Sequence, residues 1–427
     1  MNETEFATHN RRQLTEKMAP HSIAVMNCND IMPTNADGNM PYRAQTDLYW
    51  LSGVQQEDCC LILFPHHPDP LLREVLFIKY VDEDFVKWHG RRLSIEEART
   101  ISGIKTVKWE HEFTDFFSAS ANYAQNIYLN SIEHPRSVNL VQTRDHRFIQ
   151  WCRDRFPLHH YHRLAPILGE LRKTKSAFEI EQLQTACNIT EKGFRRVLNF
   201  VRPGIKEKQI EAEMIHEYMQ HDGKWSGYEP IVASGANTCI LHYITNHNVC
   251  KDGELLLIDA AASYGLYNAD LTRTIPVNGQ YTPRQKEVYN AVLHVHKLTK
   301  QYAKAGMRLV DLQTYCNELL IEQYFKLKLM SAAELKEKGP AYFLGKHSYH
   351  GFGHFLGLDV HDVGNIYEKL HIGTVFTVEP GIYIQNENIG IRIENNVVAT
   401  ETGTFDLMAN IPIEADEIEA LMQSSRP

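Results

Sequence analysis

An α/β domain followed by an α+β domain with antiparallel strands is the fold class that this 427-residue chain predicts. Three observations lead there. Short apolar runs of buried-strand length alternate with helical patterns over the first 165 or so residues, the signature of an α/β layer. From Pro166 onward long amphipathic helices take over, in pairs, each pair followed by hairpin-like strand runs. The size itself, 49.2 kDa, exceeds what a single hydrophobic core comfortably serves. The domains are therefore expected over 1–165 and 166–427.

In the first domain the strand candidates are residues 22–26 (SIAVM), 60–64 (CLILF), 75–80 (VLFIKY) and 126–129 (NIYL). Between them, Ser94 with Glu97 three residues on forms a capping-box signature at the head of a helical run. No Gly-rich phosphate loop follows any of these strands, so nucleotide binding is not expected. In the second domain, residues 167–199 read as two helices interrupted around Lys173-Thr174-Lys175-Ser176. Ser176 with Glu179 repeats the capping box and should start the second of them. Further helices are expected over 207–222, after the Arg202-Pro203-Gly204 turn, and over 283–305 and 310–329. Strands are expected at 231–233, 255–276 and 375–400. Two helices followed by hairpins, twice over, hint at an internal duplication, although no sequence repeat accompanies it.

Composition removes several function classes. Hydrophobic content of 43% and charged content of 23% describe an ordinary soluble protein. A net charge of −9 is the wrong sign for a nucleic-acid partner. The first residues, MNETEFATHNRRQ, lack the apolar core of a secretory signal, and no apolar run approaches the roughly 20 residues needed to cross a bilayer, so no membrane partner is expected. Eight cysteines are scattered without CxxC spacing, as free thiols in a reducing, cytoplasmic compartment would be.

The chemistry begins in residues 255–276, LLLIDAAASYGLYNADLTRTIP. Two apolar runs flank Tyr264-Gly265, a pair suited to the tip of a two-residue hairpin because Gly accepts positive φ. That tip sets Ser263 opposite Leu266, Ala261 opposite Asn268 and Asp259 opposite Asp270. Opposed residues share a face about 5 Å apart, and two carboxylates held so repel unless a cation lies between them. A metal site explains the pair; a different register or a bulge that parts the acids is the alternative.

Downstream, HGFGHFLGLDVH places His350, His354 and His361 within twelve residues, interleaved with glycines that let backbone approach a ligand. Taken singly, each His is more often a hydrogen-bonded structural residue. Glu379 ends an apolar strand run just before Pro380-Gly381, and Arg392 and Glu394 share one strand face at a spacing of two. An acid in so apolar a run needs a partner if it turns inward.

Asp259 in LIDAA, Asp270 in NADLTRT, His354, Glu379 in VEPG and Glu394 in RIEN resemble the five-ligand set of the pita-bread metallopeptidases, which include aminopeptidase P, prolidase, methionine aminopeptidase and creatinase. The order and the eleven-residue Asp–Asp spacing both fit, and the resemblance covers nearly all of residues 166–415. It implies two related α+β halves, a pseudo-two-fold, around an antiparallel sheet. It also implies two divalent metal ions, with Asp270 and Glu394 bridging them, Asp259 chelating one, and His354 with Glu379 holding the other. Oxygen-rich ligation favours Mn²⁺, with Zn²⁺, Co²⁺ and Fe²⁺ compatible. Glu379 doubles as the candidate for proton transfer, against a ligand-only reading. By the same resemblance His242 and His361 steady the oxyanion or substrate, and His350, Arg392 and Tyr383 line the proline side. Creatinase lacks the ligands that are present here, and methionine aminopeptidase lacks both the Arg pattern and a sizeable N-terminal domain.

Residues 40–53, MPYRAQTDLYWLSG, resemble the aminopeptidase P signature YPYRQNSDFWYLTG, departing at Ala44, Gln45 and Thr46 among others. Residues 88–93, WHGRRL, resemble that family's W-x-G-R-R-L loop, which in bacterial relatives approaches a neighbouring subunit's active site; Trp88 would then close the substrate entrance. The competing reading of Trp88 is a local core aromatic. Together these imply removal of the first residue from peptides with proline second, by a homodimer or homotetramer. Prolidase, restricted to dipeptides, is the alternative within the family. A non-catalytic peptide-binding module is the alternative outside it, and the full ligand set argues against that one.

Overall fold

A computed structural model describes residues 1–137, 140–224 and 227–424. The chain forms two compact units, Met1–Arg172 and Lys173–Pro427, against an expected division near Pro166.

The first unit is built on a six-stranded mixed sheet of β1 (Ser22–Asn27), β2 (Cys60–Leu63), β3 (Glu74–Ile78), β4 (Thr106–Trp109), β5 (Asn126–Leu129) and β6 (His160–Arg163), in the order β4-β3-β2-β1-β5-β6. β2 runs antiparallel to both of its neighbours, β1 and β3, whereas β4, β5 and β6 join parallel. Central strands covered on both faces must be apolar throughout, and β1 and β2 are buried at every position. The two edge strands, TVKW and HYHR, escape the sequence reading because an edge tolerates polar residues and so carries no apolar run. The helix Ile95–Ser102 starts at Ser94 with the expected capping box to Glu97.

The second unit repeats one order of elements. Helices Ala177–Phe200, capped by Ser176 with Glu179, and Glu207–Gln220 precede an antiparallel sheet of β7 (Ile231–Ser234), β8 (Leu255–Asp259) and β11 (Thr272–Pro276), with the small hairpin β9 (Ser263–Tyr264) and β10 (Tyr267–Asn268) between the last two. Helices Pro283–Tyr302 and Leu309–Lys326 then precede β12 (Val375–Val378), β13 (Gly381–Ile384), β14 (Ile389–Arg392), β15 (Asn395–Ala399) and β16 (Thr404–Asp406), paired antiparallel as β12-β15-β16 and β13-β14. The helix Pro340–His347 was not anticipated.

The hairpin register corrects the sequence reading. Tyr264 pairs with Tyr267 and Ser263 with Asn268, so the tip is Gly265-Leu266 rather than Tyr264-Gly265. Both tip residues have positive φ, 51° and 64°, the primed-turn geometry that matches strand twist. Leu266 tolerates it because its side chain is 3% exposed; burying a leucine contributes about 1.5–3 kcal/mol, which outweighs about 1–2 kcal/mol of left-handed strain. Asp259 therefore pairs with Thr272, not Asp270. A shift of two residues leaves every side chain on its original face, so Asp270 becomes the diagonal neighbour of Asp259 on the same side.

Candidate metal centre

Strand ends deliver the acids. Asp259 closes β8 after four buried apolar residues, Asp270 lies in the break between β10 and β11, Glu379 follows β12, and Glu394 falls between β14 and β15. His354 comes from the irregular Gly-rich segment, which lies flat on β12: Thr377 N–H donates to His354 O at 2.8 Å, and His354 N–H to Thr377 Oγ1 at 3.0 Å. Gly353 makes that approach possible, because a Cβ there would sit 2.0 Å from the Thr377 carbonyl oxygen.

All five converge. Asp270, His354 and Glu394 offer ligand atoms that lie within 4.8 Å of one another. His354 Nε2 is 3.4 Å from Asp270 Oδ2 and 3.6 Å from Glu379 Oε1. Asp259 is joined to the group through Arg392, whose Nη2 donates to Asp259 Oδ2 at 2.6 Å while its Nε donates to Thr272 Oγ1 at 3.1 Å. The Thr272 hydroxyl donates in turn to Glu394 Oε2 at 2.7 Å. Glu394, 1% exposed, forms a closed base, whereas the side chains of His354 and Glu379 keep 15% and 17% exposure and face the open side.

Charge is the dominant feature. Burial first, then Asp270, Glu379 and Asp259, push the Glu394 carboxyl well above its ordinary value. Burial also pushes Glu379 up to about 7, against the pull of His354 and Arg392. Asp259 is raised by burial, opposed by Arg392 and reinforced by Asp270. Burial works against a charged His354 imidazole, but Asp270 and Glu379 carry it above its ordinary value. Among the buried oxygens, Asp259 Oδ1 and Glu394 Oε1 have no hydrogen-bond partner. A buried anionic oxygen without a donor is costly, and cations supply what the protein does not. The residues present therefore fit divalent metal ions.

Around this cluster, His361 packs against His354 with ring centroids 3.8 Å apart and the planes tilted by 42°. His350 Nε2 lies 2.8 Å from Tyr383 Oη, and that hydroxyl accepts from Arg392 Nη1 at 2.9 Å. Burial, with the charges of Arg392 and His242, pushes His350 down to about 3. Arg392 is 3% exposed, so its guanidinium steadies Asp259, Tyr383 and Thr272. His242 is exposed in the turn after β7. Trp88, on the helix Glu83–His89 of the first unit, is 84% exposed, which removes the local core reading. Sequence reasoning missed Thr272 and Tyr228. The alternation DLTRT could have pointed to Thr272, which shares a face with Asp270. Tyr228, close enough to Asp259, Asp270 and Glu394 for their charges to act on its hydroxyl, sits in a loop without any pattern.

Comparison with known proteins agrees with this geometry. The model of metallopeptidase family M24 matches residues 181–401, and that of the aminopeptidase P N-terminal domain matches residues 7–128. The chain is 32% identical to the Xaa-Pro aminopeptidase of Escherichia coli K12, an alignment covering 97% of each. It is 27% identical to human Xaa-Pro aminopeptidase 3, over 90% of this chain and 78% of the relative. Among solved structures, aminopeptidase PepP of Pseudomonas aeruginosa superposes with a TM-score of 0.91 at 29% identity, over 100% of this chain and 99% of the other. Zinc-substituted E. coli aminopeptidase P in complex with product gives 0.90 at 31% identity, with the same coverage. The expected α/β unit followed by an α+β pita-bread unit is thus the fold, and no described helix is long and apolar enough to cross a membrane. The chain belongs to metallopeptidase family M24 and carries the aminopeptidase P N-terminal domain.

Proposed function

We propose that this metallopeptidase releases the first residue from peptides whose second residue is proline. The observation that carries the reading is the gathering of Asp270, His354 and Glu394 within 4.8 Å, with Glu379 3.6 Å from His354 and Asp259 held by Arg392, while Asp259 Oδ1 and Glu394 Oε1 are left without a hydrogen-bond partner. Asp259, Asp270, His354, Glu379 and Glu394 would hold two divalent cations, whose four positive charges the four carboxylates would balance. The oxygen-rich set favours Mn²⁺; the solved relative in complex with product is zinc-substituted. When bound, such ions polarise a scissile carbonyl and make water nucleophilic at neutral pH.

The chain's own groups do the rest. Glu379, on the open side, accepts the proton of the attacking water at a carboxylate oxygen and returns it to the proline nitrogen as the bond breaks. That nitrogen, like any amide nitrogen, must gain a proton to depart, and it leaves as the secondary amine of proline, which has no N–H while the bond is intact. His361, packed against His354, and His242 steady the carbonyl oxygen, while His350 and Tyr383, braced by Arg392, line the proline side. The substrate's free amine settles among the acids, which limits cleavage to the first bond.

The exposed Trp88 supports a role at the entrance of a neighbouring subunit in a homodimer or homotetramer. The eight free, buried cysteines support a cytoplasmic setting. Hydrolysis of Xaa-Pro-Yaa tripeptides compared with Xaa-Pro dipeptides tests the main reading: release of Xaa from the tripeptide supports it, and cleavage of dipeptides alone would make the enzyme a prolidase.

A further inference from the structure

One strand edge gathers the segments of the second half that surround the metal centre. In the 259–272 hairpin, Ala269 N–H bonds to Ala262 O and Ala260 N–H to Leu271 O, so the backbone groups of residues 268, 270 and 272 turn outward. Each meets a different partner. Asn268 N–H donates to Gly357 O at 2.9 Å, in the segment that carries His354. Glu394 N–H donates to Thr272 O at 3.1 Å. Two residues further, the Thr274 hydroxyl accepts from Arg392 N–H at 3.3 Å. Residues 270–274 thus lie antiparallel to 392–396, with 272 against 394 and 274 against 392.

The remaining rung, 270 against 396, has no backbone ladder. Asp270 N–H donates to Asn396 Oδ1 at 2.9 Å, and Asn396 Nδ2 donates to Asp270 O at 2.6 Å. A carboxamide presents a donor and an acceptor side by side, as a neighbouring strand would. Asn396 is completely buried and its backbone is fixed by β15, where it pairs with Thr377 of β12, next but one to Glu379. On the next residue of the seam, Arg273, also completely buried, donates through Nη1 to Glu394 O at 2.7 Å and through Nη2 to Asn395 Oδ1 at 2.7 Å. The side chain of Asn396 therefore joins the strand bearing Asp270, in the first half of the fold, to the strands bearing Glu379 and Glu394 in the second.

We propose that Asn396 is a positioning residue: by clamping both backbone polar groups of Asp270, it sets the separation of Asp270 from Glu394 and Glu379 on which metal binding depends. The proposal rests on the reading of these acids as metal ligands. Residues that orient ligands from behind typically contribute about 10–100-fold in metal affinity. A merely structural asparagine would lower the melting temperature and leave affinity alone.

The test is calorimetric titration of Mn²⁺ into chelator-stripped full-length protein, with melting curves of metal-free and metal-loaded samples. Asn396→Ala, and Asn396→Ser should the alanine variant not fold, are expected to weaken Mn²⁺ binding about tenfold or more and to shrink the metal-induced rise in Tm. Asn396→Asp keeps the acceptor for Asp270 N–H but sets an oxygen against Asp270 O, and is expected to bind more weakly still. Wild-type affinity and stoichiometry in a folded Asn396 variant, with only Tm lowered, would overturn the proposal. Asp270→Asn separates the two ideas: if it binds Mn²⁺ like wild type, the ligand reading itself has failed; if it loses binding while the Asn396 variants keep it, only the clamp has.

Discussion

The sheets of the two units solve burial in opposite ways. In the first unit the strands turn Ile23, Val25, Ile62, Val75, Phe77 and Ile127 into one apolar cluster with Phe117, Phe156 and Cys152, and dispersion and hydrophobic burial hold it. In the second, residues just as deeply buried are Asp270, Thr272, Arg273, Thr274, Arg392, Glu394, Asn395 and Asn396, none more than 5% exposed. Polar groups at such depth cost several kcal/mol each unless matched, and here nearly every one is matched, chain to chain, across a seam. Glu394 Oε1 is the exception among these residues, and Asp259 Oδ1 beside them is left unmatched in the same way. The contrast teaches where chemistry is kept: an apolar sheet needs only to be filled, whereas a polar one is a set of positions, each chosen for its neighbour.

The sharpest break of that contrast is Glu394→Gln. It removes one charge from the closed base of the cluster, and kcat on an Xaa-Pro-Yaa peptide should fall more than about 1,000-fold, a loss of about 4 kcal/mol in the barrier term. The melting temperature of the metal-free variant should equal or exceed that of metal-free wild type at neutral pH, because the carboxyl stays neutral in that buried position only by holding a proton the unfolded chain releases, whereas the amide is neutral without one; a large fall would mean that Glu394 is structural.

A paired experiment follows. Phe117→Ala should cost about 3–5 kcal/mol in urea unfolding of the first unit and leave Mn²⁺ affinity unchanged. Arg273→Met, which strips donors from Glu394 O, Thr272 O and Pro412 O, should cost about 3 kcal/mol and weaken Mn²⁺ binding as well. Equal metal affinity in the two variants would erase the distinction between the units.

Protons sharpen the comparison further. Glu379, pushed up from an ordinary 4.5 to about 7, and Glu394, raised with it, hold protons in the folded metal-free protein that the unfolded chain releases. Stabilisation from such groups is complete below about pH 4.5 and lost as pH rises through about 7. The Tm of metal-free protein should therefore fall between about pH 5 and pH 8, and saturating Mn²⁺ should abolish that slope, since bound ligands are deprotonated at both ends. A slope that metal leaves unchanged would place its origin elsewhere.

The sequence was most legible where a local rule and a global one agreed. Apolar runs marked β1, β2, β3 and β5, and Ser94 and Ser176 marked helix starts through their own side chains. Asp259 and Glu379 stood out because each ends an apolar run. The hairpin register was not legible: Gly265 permits a tip on either side of it, and the burial of Leu266 that decides between them is a tertiary fact. Nor were the seam partners, because the second Asn of RIENN carries no sign that its carboxamide will replace a strand. Polar edge strands left no trace for the same reason.

The smallest expected effect concerns Trp88. At 84% exposure, Trp88→Ala should change stability by no more than about 0.5 kcal/mol. Loss of the dependence of specific activity on protein concentration would place it at a neighbouring subunit's entrance, and unchanged kinetics would remove it from the site.

Every role assigned to the buried polar seam depends on its acids holding metal. The most direct measurement is the number of divalent ions bound per chain, by elemental analysis of protein stripped, reloaded with Mn²⁺ and desalted, beside Glu394→Gln treated identically. The expected result is two ions per wild-type chain and a loss in the variant, with both proteins folded; wild-type protein that retains none, or a variant that retains two, would contradict it.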